Sequence, residues 1–333
     1  MTKYSQKSII GKTRLFIQKN NLILPKEKIM VAVSGGADSV ALLNILLKLK
    51  DELNCEISVC HFNHLLRGKA SDRDETFVKE ICKEKKLECV VGRAERAGQY
   101  KSEDKAREAR YLFFEKILEE GRADKVALAH QQNDSAETVL LRLIRGTGLR
   151  GLRSIPASRQ KFIRPLLNIS RTEIEQYLSA ERIAYCTDET NADTKFLRNK
   201  IRLEVLPALK RLNPNITATL AETARSISCD YIYIVESAEA TLEKIAKIEN
   251  NSIEIDLIPW QKLPESQRKM TLRVALTRLS PELLDVTADQ IDQVEEMLMQ
   301  GKGGKHKLLP HSLRVALTRG RIILSINKKK EIK

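Results

Sequence analysis

The apolar run Ile29-Met30-Val31-Ala32-Val33 passes without a break into Ser34-Gly35-Gly36-Ala37-Asp38-Ser39, and then into the helically spaced stretch Val40 to Leu49. An uninterrupted apolar pentapeptide reads as a strand buried on both faces, and such strands belong to parallel sheets covered by helices. The two glycines let the chain turn sharply where the strand ends. The following helix turns its free N–H groups and the positive end of its dipole back toward that turn, which suits the segment to hold an anion such as phosphate. It contains no lysine. The triplet Gly11-Lys12-Thr13 does not supply the lysine-bearing alternative, because Gln6 stands where that motif needs its first glycine. Asp38 beside a polyphosphate calls for Mg²⁺ or another cation to offset its charge.

Strand and helix patterns keep alternating after this point. Glu56–Phe62 reads as a second strand. Ser71, with Asp74 at the capping-box position, can start the next helix. Leu87–Val91 reads as a third strand, followed by a helix over roughly 104–118. Lys125–Ala129 is a fourth strand, and Asn133 can cap a helix to Arg145. The expected fold class is α/β, a doubly wound, Rossmann-like parallel sheet over residues 1–215. Ligands of such sheets bind beyond the carboxyl ends of the strands, where Ser34–Ser39, His61–His64 and His130–Asp134 all fall. Pro156, Pro165, Pro207 and Pro214 break up the stretch after Gly146. A helical linker is expected over 216–250 and a small α+β domain over 251–333. That domain has a strand at 253–257, helices at 265–279 and 287–299, and short strands between 307 and 326.

The 333 residues carry a formal charge of +14, and from Gly301 to Lys333 ten Lys and Arg face a single acid, Glu331. An excess of that size points to a polyanionic partner such as nucleic acid. The six cysteines lack C-x-x-C spacing, which argues against a zinc ribbon, an iron–sulfur site or a redox pair. No apolar run is long enough to cross a membrane. These features lead us to expect a cytoplasmic protein with no membrane partner.

Four further segments are hard to explain as core. They are His61-Phe62-Asn63-His64-Leu65-Leu66-Arg67-Gly68; Ala106-Arg107-Glu108-Ala109-Arg110-Tyr111; His130 to Thr138 leading into Arg142 and Arg145; and Asp188 to Asp193 followed by Arg198-Asn199-Lys200-Ile201-Arg202. Arg107 and Arg110 share a helix face, as do Arg198 and Arg202. Asp134 and Glu137 fall in a first helical turn, where carboxylates also serve as caps.

In this order, and with Arg164-Pro165-Leu166-Leu167, the segments resemble the bacterial tRNA(Ile)-lysidine synthases of the PP-loop ATPase superfamily, in a short form with one C-terminal domain. The resemblance implies that ATP adenylates the wobble cytidine of a tRNA(Ile) with a CAU anticodon. Free L-lysine then displaces AMP, and codon specificity changes from AUG to AUA. It implies ATP contacts from Val33, Ser34, Gly35, Gly36, Ala37, Asp38, Ser39, His61 and Phe62, with Asp38 also a candidate for Mg²⁺. Asp38, Asp134, Arg107, Arg110 and Arg198 are the implied catalytic residues. Arg67, Arg145, Arg202, Lys302, Lys305 and Lys307 are the implied tRNA contacts. The family's usual Gly-His-His after the fourth strand is Ala129-His130-Gln131 here. A PP-loop tRNA thiolation enzyme is the second reading, and the scattered cysteines count against it. The sequence leaves the oligomeric state open, a homodimer included.

Overall fold

Residues 5, 7–65, 68–96, 99, 103–187, 197–280, 286–301 and 303–326 are described by the computed structural model. The chain divides into one unit of residues 1–146 with 154–225 and another of 147–153 with 226–333.

In the first unit the order is α1 (Ile9–Lys19), β1 (Lys28–Ala32), α2 (Ala37–Leu53), β2 (Glu56–Asn63), α3 (Lys69–Glu84), β3 (Cys89–Arg93), α4 (Glu103–Glu119), β4 (Lys125–Ala127) and α5 (Gln132–Arg145). The short strands Ser158–Arg159 (β5) and Phe162–Ile163 (β6) follow. Next come α6 (Arg171–Ala180), α7 (Leu197–Lys200), a π-helical turn at Ile201–Val205 and α8 (Leu206–Leu212). The sheet order is β3-β2-β1-β4-β6-β5. Every pairing is parallel except that of β5 with β6.

The alternation of side chains along β1 explains the layering. Ile29 and Val31 join a core with α1, α2 and α6 residues such as Ile17, Leu42 and Leu178. Met30, between them, faces the opposite way into a second core with Cys60, Phe114 and Phe162. A strand buried on both sides needs apolar residues at every position, which is why the pentapeptide is continuous rather than alternating.

Two helix starts differ from expectation. Helix α3 begins at Lys69 with Gly68 as its N-cap, so Ser71 lies inside it, and the Ser71 carbonyl accepts a hydrogen bond from Asn63 Nδ2 at 3.3 Å. Helix α5 is capped by Gln131 rather than Asn133. Gln131 Oε1 accepts from the Asn133 amide at 2.7 Å, and the Asp134 carboxylate accepts in return from the Gln131 amide at 2.9 Å. The cap thus falls two residues earlier than Asn133, and it is a reciprocal one. The strands also shift slightly: β3 starts at Cys89, and β4 ends at Ala127.

The second unit contains a short helix, Leu149–Leu152, and an antiparallel sheet. The order onward is β7 (Ala246–Glu249), β8 (Ser252–Asp256), α10 (Leu257–Gln261), α11 (Glu265–Leu279), α12 (Ala288–Met299), β9 (His306–Leu309), β10 (Leu313–Thr318) and β11 (Arg321–Ile326), paired as β7-β8-β11-β10-β9. Helix α9 (Ile216–Ile245) contains the division between the units at Arg225, so the expected linker 216–250 is shared between them. Its Ala238 and Leu242 enter the second core together with Trp260, Leu276, Val294 and Val315. Along β10 buried and outward positions alternate, as one covered face requires.

Candidate active site

The carboxyl ends of β1, β2 and β4 carry the groups that could do chemistry. Between β1 and α2 the backbone of Gly35 has φ +94°, a conformation L side chains rarely adopt. Its carbonyl accepts from the Cys186 amide at 2.9 Å, which ties the loop to the segment after α6. Ser39 Oγ donates to the Gly36 carbonyl at 2.9 Å and lies 3.1 Å from the Ser34 amide. The two hydroxyls, Ser34 and Ser39, are 3.2 Å apart. Gly36 is the N-cap of α2 and has no side chain to occupy the helix start. The loop is thus held in shape by its own serines.

At the end of β2, His61 is buried and its Nδ1–H donates to the Val33 carbonyl at 2.8 Å. A carbonyl can only accept, so Nδ1 carries the proton. Nε2 is left as a buried acceptor with no partner among the described residues. Burial holds this imidazole below its usual pKa. Phe62 meets His64 edge to face with centroids 4.7 Å apart, and packs on Phe113 at 5.4 Å. Gly92 of β3 makes room for those rings, since a Cβ there would stand 2.6 Å from Phe113. Asn63 fixes the strand exit: its Nδ2 donates to the buried Glu75 at 2.9 Å and its Oδ1 accepts from the Leu65 amide. Arg93 grips Glu75 with two bonds of 2.7 and 2.6 Å.

After β4 the arrangement is ionic. Glu137, buried in α5, accepts from Arg198 Nε at 2.9 Å and from Arg202 Nε and Nη2 at 2.6 and 3.0 Å. Arg198 Nη2 also reaches Asp134 Oδ1 at 2.9 Å. Both oxygens of Asp134 are therefore engaged, one by Arg198 and one by the helix cap. Asp38 Oδ1 accepts from Arg171 Nη1 at 2.9 Å, and among the described residues its Oδ2 accepts no hydrogen bond. Burial pushes the Asp38 carboxyl up to about 6; Arg171 and Arg202 oppose the rise and neighbouring Asp134 adds to it. Burial, together with Arg164, Arg107, Arg198 and Arg110, drives His130 well below the usual imidazole value. The His130 ring is therefore neutral and sits in a strongly positive environment. Arg107 stacks on Tyr111, its guanidinium 5.0 Å from the ring centroid.

The structure thus brings Asp38, Asp134, Arg198 and Arg202 into one electrostatic cluster, with Arg107 and Arg110 converging on His130. Arg198 and Arg202 are bound to carboxylates, not held out as free cations. Arg145 is exposed at the end of α5. In the second unit Lys305 is exposed and bonds Gln300, and Lys307 bonds Gln293. Arg67, Lys302 and residues 188–196 lie outside the described residues. The sequence reading named Glu137 only as a cap and Arg164 only as part of a motif, without their places in the site, and it missed Arg171 altogether. The last had a readable signal, because Ser170-Arg171-Thr172-Glu173 is a capping-box sequence and both of its reciprocal bonds form.

A family model described as the PP-loop domain matches residues 7–209. The chain is 36% identical to the tRNA(Ile)-lysidine synthase of Geobacter sulfurreducens over 317 residues, covering 92% of this chain and 67% of that protein. The chain belongs to the tRNA(Ile)-lysidine synthase family. It is 33% identical to the Clostridioides difficile member, covering 95% of this chain and 70% of that one. It is 38% identical to the Clostridium perfringens member, of whose length it spans 63%. Among solved structures, the U34-tRNA thiolase NcsA from Methanococcus maripaludis superposes with a TM-score of 0.56 at 18% identity, covering 68% of this chain and 82% of that one. That likeness concerns the fold alone. Among the described residues, no helix is long and apolar enough to cross a membrane, and no group of three or more His, Cys, Asp or Glu is placed to hold a metal ion.

Proposed function

We propose that the chain is an ATP-dependent ligase that joins free L-lysine to C2 of the wobble cytidine in a tRNA(Ile) with a CAU anticodon. In the first step the C2 oxygen of the cytosine attacks the α-phosphorus of ATP and pyrophosphate leaves. In the second the ε-amine of lysine attacks C2, AMP departs with that oxygen, and the amine gives up a proton. The observation that carries this reading is Asp38, set in a lysine-free phosphate loop and close enough to Asp134 to feel its charge, in a chain of the lysidine synthase family.

The ring carbonyl becomes a usable electrophile only once its oxygen is a good leaving group. The Ser34–Ser39 loop offers amides and the α2 N-terminus to the departing phosphates. The unpartnered Nε2 of His61, beside Val33, is an acceptor for a nucleotide at the strand ends. Asp38 and Asp134 are carboxylates of the type that hold Mg²⁺ together with phosphate oxygens, and Mg²⁺ there would neutralise charge on the leaving pyrophosphate. With its Oδ2 uncommitted and its pKa raised to about 6, Asp38 is better suited than the doubly engaged Asp134 to hold the lysine ammonium and take its proton. Arg107, Arg110 and Arg164, converging on neutral His130, make a positive wall for the flipped cytidine and its phosphates. A cytoplasmic location suits the six free thiols.

Incubation with ATP, Mg²⁺, a CAU-bearing tRNA(Ile) transcript and lysine tests the proposal. Lysine-dependent AMP release and a cytidine heavier by lysine minus water are expected. Pyrophosphate release without that product would reject lysine as the nucleophile, and no turnover at all would reject the ligase.

A further inference from the structure

Arg150, Arg153 and Arg273 come together in the second unit. Arg153 lays its guanidinium over Tyr231, 4.4 Å from the ring centroid, and its Nε donates to the Arg150 carbonyl at 2.9 Å. Arg273, on α11, donates to the Val286 carbonyl at 3.2 Å. Its guanidinium pKa is lowered, first by burial and also by Arg150, while Tyr231 and Asp292 oppose the shift. All three arginines are half-buried, and Tyr231 beneath them is buried. The segment 147–153 that supplies two of them belongs to this unit although its neighbours in sequence belong to the other.

Like charges gathered this closely repel one another and raise the local positive potential, which suits a polyanion. Tyr231 is covered by Arg153 and cannot stack on a base, so the cluster offers guanidinium donors only. Such donors recognise phosphate oxygens and carry no sequence information. We infer that Arg150, Arg153 and Arg273 form a phosphate-contacting patch that grips the RNA backbone without reading its bases. This inference rests on the proposal that the chain acts on tRNA.

The test is the salt dependence of binding by the full chain. Binding of the CAU-bearing tRNA(Ile) and of an unrelated tRNA would be measured between about 50 and 200 mM salt. The proteins would be wild type, Arg150→Ser, Arg273→Ser and the charge-preserving Arg150→Lys. Each serine variant should lower the log–log slope by about 0.7–0.9, the value of one lost phosphate contact, and equally for both RNAs. Arg150→Lys should keep the wild-type slope. Arg321→Ser serves as control: that arginine lies on the antiparallel sheet outside the patch, bonded to Glu254 at 2.9 Å, and its loss should leave the slope unchanged. Melting curves establish that each variant is folded. Serine variants that keep the wild-type slope, or weaken binding of the CAU transcript alone, would overturn the inference. If the wild type forms no lysidine but binds tRNA and loses slope on substitution, the ligase reading falls and the patch stands.

Discussion

Asp38 and Arg171 meet across 133 residues of sequence, and their 2.9 Å bond sets the carboxylate at the mouth of the phosphate loop. Asp38→Asn retains the shape and loses the charge. It should cut lysine-dependent AMP formation by about 10²-fold or more, as removal of an acid–base group does, and melting should be little changed. Equal rates for wild type and Asp38→Asn in a single-turnover assay would refute this role. Gly92 answers to packing and not to chemistry. Its missing Cβ is the space into which Phe113 and Phe62 press. Gly92→Ala should destabilise the first unit by about 1–3 kcal/mol, read as a lower urea midpoint, because the rings can yield only by leaving their rotamers.

At the scale of elements, the exit from β2 is held by a carboxylate that three side chains address through four hydrogen bonds. Asn63, Lys79 and Arg93 all donate to Glu75, and Arg93 does so twice. These bonds, those of Arg93 foremost, hold the Glu75 carboxyl down to about 2. A folded value below the unfolded one means that the stabilisation is complete above the ordinary glutamate range. It is lost as the pH falls from about 4.5 toward 2. Glu75→Gln should therefore cost about 2 kcal/mol at pH 7 and progressively less below pH 4. Chemical denaturation across that range measures the difference, and a pH-independent difference would contradict it. How much was legible in the sequence also varies by element. Strands β1 and β2 follow from their apolar runs, and helices α2, α11 and α12 from apolar residues at helical spacing. Strands β5 and β6 are two residues each and leave no period to read. The site was legible where it lies on one segment, as in Ser34–Ser39. It was illegible where folding pairs distant charges, as Glu137 with Arg202 or Asp38 with Arg171, since no local pattern encodes a contact between segments so far apart.

Taken whole, the molecule places its carboxylate–arginine chemistry in one unit and an antiparallel sheet with clustered arginines in the other. The +14 excess is carried by other cations, because Arg93, Arg171, Arg198, Arg202 and Arg268 are matched by internal carboxylates. Glu137→Ala tests how strongly that containment matters. It would take from Arg198 and Arg202 the buried acceptor they share and leave them to Asp134, and because both guanidiniums keep some contact with solvent the cost should be about 1–3 kcal/mol. The first unit should melt earlier by a corresponding margin. If the melting point stayed put, the cluster would owe nothing to Glu137.

Trp260 is the sole tryptophan of the sequence, and it lies fully buried in the second core with its Nε1–H donating to the Arg268 carbonyl at 3.3 Å. Nature has in effect placed a single lamp in one of two rooms. Intrinsic fluorescence will follow the unfolding of the second unit, while far-ultraviolet circular dichroism follows both. A nucleotide that binds the first unit should then move the dichroism midpoint, and an emission midpoint that moves with it would show that the two units unfold together. One unlabelled sample thus tells joint unfolding from separate unfolding.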